Sequence, residues 1–236
     1  MTYSSGGTIQ ASDYNNFATQ VNNIWGTGNG SNGYGQSTTL SSVTAASVNI
    51  ASTEWVSLIN RLNSLSYHQS ATNYAPETPV TGGLIAYIGN LSTTVTSIVT
   101  NKLNSYANGS DSSTNYDNAT GWYTSSQREI SITFSSGDAA RYFFNAGGQI
   151  RISYSLTSPD NSKSTDWQTL CSNVGTLVLS ATSFAKSGGG GNTPSVNQTG
   201  LGYHNLTTSY QTFFQQYSTG SSASRGFPQS IVTRSI

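Results

Sequence analysis

The sequence predicts an α+β chain: an N-terminal helical unit of about three helices, then a C-terminal antiparallel β-sandwich-like domain. Three observations carry that reading. Up to residue 105 apolar side chains recur at helical spacing, and from about Gln127 they alternate with polar ones. Between them SYANGSDSSTNYDNATGWYTSS (105–126) follows neither period and is built of loop-forming residues. The expected organisation is a helical docking or oligomerisation domain over 1–105, a linker over 106–126 and a β domain over 127–236.

The helical half contains a repeat. IQASDYNNFATQVNNI (9–24) aligns with IASTEWVSLINRLNSL (50–65) at an offset of 41 residues, pairing Ser12 with Thr53, Asp13 with Glu54, and Tyr14 with Trp55. Each copy opens with a hydroxyl residue able to cap free N–H groups and an acid that suits the positive end of a helix. Tyr14, Phe17, Val21 and Ile24 then mark one stripe, and Trp55, Leu58, Leu62 and Leu65 another. A third stripe runs through Leu84, Ile88, Leu91, Val95 and Ile98.

Seams this narrow need a partner helix, in the same chain or in another subunit. Tyr14, Phe17, Val21, Trp55, Leu58, Leu62, Leu91 and Val95 are therefore the expected assembly interface, with a trimer of the chain as the expected oligomer. GTGNGSNGYGQ (26–36) joins the repeated helices. It lacks the Lys-Ser/Thr of a phosphate loop and is expected to drape over the surface. A second connection, SATNYAPETPVTG (70–82), carries two prolines.

In the second half Ile130, Ile132 and Phe134 alternate with polar residues, as do Ile150, Ile152, Tyr154 and Leu156. Arg141–Ala146 and Gln149–Leu156 are expected to pair as a hairpin turned by Gly147-Gly148, with Asp138 and Arg141 fixing the corner. Trp167, Leu170, Cys171 and Val174 fit a short helix ended by Gly175. Strands are expected at Thr176–Ser180, Leu201–Leu206, Ser209–Tyr217 and Ser230–Ile236.

Composition removes several functions. Charged residues make up only 8% of the chain and the formal net charge is zero, against roughly a quarter charged in an ordinary domain. Nucleic-acid binding needs a basic face, and membrane-surface binding a basic patch. No apolar stretch reaches the roughly 18 residues of a membrane span. The N-terminus has no signal-peptide pattern, so synthesis in a cytoplasm is expected. The single cysteine, Cys171, excludes an intrachain disulfide and reads as a small buried hydrophobe.

No chemistry-bearing constellation stands out. The two histidines, His68 and His204, are far apart in sequence, and His68 sits where an imidazole can cap helix-end carbonyls. There is no HExxH motif, paired cysteine or GxSxG elbow, so no catalytic residue, metal or cofactor is expected. Tyr203, Tyr210 and Tyr217, with Phe213 and Phe214 beside them, are the candidate glycan-facing aromatics, although such rings also fill β cores.

Ile9-x-Ala11-x-x-Tyr14-Asn15, Gly33-Tyr34-Gly35-Gln36, His68-Gln69 and Arg141-Tyr142-Phe143-Phe144-Asn145-Ala146-Gly147-Gly148 together resemble virion structural proteins of tailed bacteriophages. They are similar in particular to proteins of large contractile-tailed phages of cyanobacteria and other marine bacteria. The likeness runs from about residue 9 to 180. It implies a non-enzymatic component of a tail, baseplate, neck or fibre, present in many copies. Its partners would be copies of itself and other virion proteins, with a host-surface glycan in the receptor-binding alternative.

Overall fold

A computed structural model describes residues 11–44, 52–74, 88–106, 114, 130–157, 162–189, 196–197, 202–208, 211–219 and 224–231. The chain mixes helix and strand. Helices α1 (Ala11–Trp25), α2 (Ser52–Ser70) and α3 (Ile88–Thr100) come first, followed by α4 (Gly137–Asn145), strand β1 (Ile150–Ser153) and α5 (Ser162–Val174). Strands β2 (Thr176–Leu179), β3 (Phe184–Ser187) and β4 (Val196–Asn197), a 3-10 turn (Tyr203–Asn205), and strands β5 (Gln211–Thr219) and β6 (Ser224–Ile231) complete it. No described helix is long and apolar enough to cross a membrane.

The first three helices form because each carries one apolar stripe, with a glycine only at the second residue of α3 (Gly89), and they bury those stripes against one another. Tyr14 and Trp55, matched positions of the repeat, meet edge to face with ring centres 5.6 Å apart. Phe17, Val21, Leu58, Leu62, Leu91, Val95 and Ile98 fill the same core. The connection from α1 is fixed to it by two asparagines one heptad apart. Asn15 donates to Val43 O and accepts from Val43 N, both at 2.8 Å. Asn22 does the same with Leu40, also at 2.8 Å. A carboxamide matches the paired N–H and C=O of an extended residue, so a helix face secures a strand-like segment without a sheet.

The expected hairpin at 141–156 is not there. Ser136 caps a helix, its hydroxyl accepting from Ala139 N at 3.0 Å. Asp138 and Arg141, one turn apart, form an ion pair at 3.0 Å, as the spacing suggested, but within α4. Gly147 and Gly148 end that helix: Gly147 N donates to Phe144 O and Gly148 N to Phe143 O, the paired bonds of a glycine stop. Tyr142-Phe143-Phe144 therefore has helical spacing, and Phe144 shares a face with Ala140. The stop at Gly175 is where the sequence placed it, at φ +66° just after α5.

Two antiparallel three-stranded sheets follow, in orders β1-β2-β3 and β4-β5-β6. In the first, Ile152 lies opposite Leu177 and Leu179 opposite Phe184. In the second, Phe214 lies opposite Asn197 and Gln229, beside a bulge at Thr212–Phe214. Val174, Leu177, Phe184 and Phe214 make one core shared by α5 and both sheets.

Two other expectations are corrected. Ile130, Ile132 and Phe134 lie outside any strand, with Ile130 and Ile132 exposed, so that alternation does not build a half-buried sheet here. The expected strand Leu201–Leu206 holds the 3-10 turn instead. The third helix is described only from Ile88, and the linkers at 75–82, 107–113 and 115–126 fall outside the described residues.

Candidate functional site

The eight residues expected at a subunit seam lie within the chain. Tyr14, Phe17, Val21, Trp55, Leu58, Leu62, Leu91 and Val95 are 0–5% exposed and belong to one intrachain core. The stripes close on each other, so these side chains cannot face a second subunit without opening the helical unit. Tyr203 is likewise no glycan-facing ring. It is 8% exposed, stacks on Phe144 at 4.5 Å and 15°, and donates its hydroxyl to Gly137 O at 3.2 Å. Tyr217 stands on β5 opposite Gly226, and Tyr210 falls outside the described residues.

What the fold assembles is a polar junction around α4. Its C-terminal asparagine, Asn145, is fully buried. Its Nδ2 donates toward Asn32 O at 2.9 Å, Gly30 O at 3.0 Å and Gly33 O at 3.3 Å. One turn back, Arg141 donates to Asn32 O at 2.7 Å and Thr27 O at 2.9 Å, while its fork also holds Asp138. Lys102 at the end of the α3 region reaches Asn32 Oδ1 at 2.6 Å. The loop at 26–36 is thus no draped connection. It turns backbone carbonyl oxygens toward an amide and a guanidinium, while an ammonium holds the Asn32 side chain.

Glycine is needed where the loop meets α4. At Gly35, with φ +74°, a Cβ would lie 2.3 Å from Cδ2 of Tyr142. Between them, Tyr34 turns into the helical core and donates its hydroxyl to Lys102 O. That hydroxyl accepts from Gln69 Nε2 at 3.0 Å, and Gln69 also donates to Ile98 O at 3.1 Å. Burial pushes the Tyr34 phenol up to about 12, the bond from Gln69 pulling the other way.

Both histidines of the chain end on consecutive residues of this junction. His68 lies 2.9 Å from Ala146 O, and a carbonyl can only accept, so Nε2 carries the hydrogen. His204 lies 3.1 Å from Asn145 Oδ1. Since the Asn145 amide nitrogen is directed to loop carbonyls, its oxygen is the acceptor and His204 Nε2 is again the donor. The expectation that His68 caps carbonyls holds, but the carbonyl ends α4, not its own helix.

Sequence reasoning missed Asn145, Lys102 and Gln69 as members of one site. The signal was present in part: Gly33-Tyr34-Gly35-Gln36, His68-Gln69 and Arg141–Gly148 each stood out, yet nothing in their spacing says they meet. Chemically the arrangement is a lock. The Tyr34 phenol and the His68 imidazole lie 5.2 Å apart between ring centres but each donates to a backbone carbonyl, and among the described residues no three His, Cys, Asp or Glu side chains stand together where they could hold an ion.

Elsewhere a cleft of about 310 Å³ lies between the chain after β1 and α5, lined by Tyr154, Ser155, Leu156, Gln168, Thr169, Cys171 and Ser172. Burial pushes the Tyr154 phenol up to about 12 and raises the Cys171 thiol as well, keeping both neutral. No protein-family model, curated protein or solved structure matches the chain.

Proposed function

We propose that this chain is a non-enzymatic structural part of a tailed-phage virion, used in a tail, baseplate, neck or fibre. One observation supports it most. Three of the four segments that carry the resemblance to virion proteins, Gly33–Gln36, His68-Gln69 and Arg141–Gly148, distant in sequence, converge on one junction, which His204 ties on to the 3-10 turn before β5. A structural component needs its parts held in fixed relation outside a cell. Here hydrogen bonds to neutral carbonyls do that with little net charge, and salt screens them weakly. The helical unit serves as the attachment part, and the two small sheets with α5 as a sandwich-like projecting part. Partners are other virion proteins and further copies of the chain.

Peptide mass spectrometry of purified particles, with antibody labelling under the electron microscope, tests this reading. The chain is expected in many copies at one place on the particle. Its absence from particles that infect normally would overturn the proposal.

Recognition of a host-surface glycan is a second reading, and the cleft beside Tyr154 now favours it where Tyr203 does not. Its described lining bears hydroxyl and amide groups and no charge, and its volume of about 310 Å³ is at the bottom of the range of small-ligand sites, about 300 Å³ and upward. Titration with neutral hexoses, followed by NMR shifts at Gln168 and Thr169, decides it; no shift at tens of millimolar sugar would end this reading.

A further inference from the structure

We propose that residues 130–134 are an intermolecular β-strand, which pairs antiparallel with the same segment of a second copy across a two-fold axis at Ile132. The proposal rests on the structural reading only for where the pairing is used; the pairing itself is a property of the chain. Ile130-Ser131-Ile132-Thr133-Phe134 has the β-branched and aromatic alternation of a strand. The segment belongs to neither sheet. Among the described residues, none of its backbone groups takes part in a hydrogen bond.

Its apolar face is open. Ile130 is 42% and Ile132 54% exposed, and Phe143, at 39%, adjoins the stripe where its ring meets Phe134 at 5.4 Å. Phe134 also packs on Phe144, so the end of the segment is held on the junction while the isoleucines stand clear. Exposed apolar strands usually carry a lysine, a proline or a bulge that prevents pairing. From Ile130 to Gly137 there is no charge and no proline.

The occupant that fits is the segment itself. Antiparallel pairing centred on Ile132 sets Ile132 against Ile132, Ile130 against Phe134 and Ser131 against Thr133. Each is a favourable cross-strand pair, β-branched with β-branched or aromatic and hydroxyl with hydroxyl. An isologous interface requires that self-complementarity. With no charge in the segment, nothing repels when it meets its copy. Closure of the helical stripes inside the chain also removes the reason for expecting three copies.

The test uses the full chain. Light scattering at tens of micromolar should give twice the 24.9 kDa chain mass. Ile132→Lys, which brings two ammonium groups together at the axis, should give the single-chain mass with an unchanged far-ultraviolet circular dichroism spectrum, and a melting temperature that no longer rises with protein concentration. Under oxidation Ile132→Cys should cross-link to itself, because directly paired residues lie about 4.5–5.5 Å apart. Ile130→Cys should not, because its two copies are about 13 Å apart along the strands. A monomer at every concentration, a trimer, or cross-linking of Ile130→Cys as fast as Ile132→Cys would each overturn the pairing. None of these results bears on whether the chain is in particles, so the two proposals fail separately.

Discussion

His204 donates to Asn145 across the junction, its Nε2 standing 3.1 Å from Asn145 Oδ1. That bond fixes which way the buried amide points, and so directs both amide hydrogens at the carbonyls of the 26–36 loop. The helical unit, α4 and the 3-10 turn before β5 are thereby linked through one side chain.

Asn145→Ala leaves the loop carbonyls and His204 without that partner. The expected loss is about 2–4 kcal/mol of stability, read from the midpoint of chemical denaturation. Asn145→Asp is the sharper variant, because it keeps the shape but sets a carboxylate against three carbonyl oxygens. It should destabilise at least as much at neutral pH. Part of the loss should return on acidification, when a protonated carboxyl can donate once.

Gly35→Ala should cost about 2 kcal/mol or more, since the new Cβ meets the Tyr142 ring and the backbone sits at φ +74°. Combining it with Tyr142→Ala should recover the steric part only. A double-mutant cycle by thermal unfolding separates the two; strict additivity would mean the ring contact is not the cause.

Arg141→Lys should destabilise by about 1–3 kcal/mol, because an ammonium cannot reproduce the fork that serves Asn32 O and Thr27 O together. Asp138→Asn should change stability by less than about 1 kcal/mol, since that carboxylate is 67% exposed and its ion pair is a surface one. Equal losses for the two would put the weight on the ion pair.

Alkaline pH should loosen the junction through Tyr34. Its folded value, about 12, lies above the ordinary 10.0 of an unfolded phenol. The stability it carries is complete below pH 10 and is lost as pH rises from 10 toward 12, when the unfolded chain releases the proton first. The loss is at most about 3 kcal/mol, and a phenolate can no longer donate to Lys102 O. Tyr154, also raised to about 12, adds to the same limb. Tyr34→Phe should flatten part of the slope seen by circular dichroism between pH 10 and 12.

The helical core was legible because its signal is local: Tyr14, Phe17 and Val21 or Leu58, Leu62 and Leu65 announce a face by spacing alone. The same signal could not say that three such faces close on one another and not on a neighbour's. The Gly175 stop was legible for the same local reason. Tyr142-Phe143-Phe144 misled because three adjacent rings suit a strand, and the correct reading needed the Ser136 cap, the Asp138–Arg141 spacing and the glycine stop weighed together. The loop at 26–36 was illegible: Asn145 and Arg141 hold it from more than a hundred residues away, and no local pattern encodes that contact. Tyr203 shows the ambiguity of aromatics, equally suited to a sugar face and to stacking on Phe144.

The most direct test of the junction is hydrogen exchange, resolved by peptide, on the wild-type chain and on Asn145→Ala. If α4 locks the helices to the sheets, peptides spanning Leu58–Leu65 and Leu177–Phe184 should open with a common free energy in the wild type and with different ones in the variant. Separate opening already in the wild type, or no change on substitution, would contradict it.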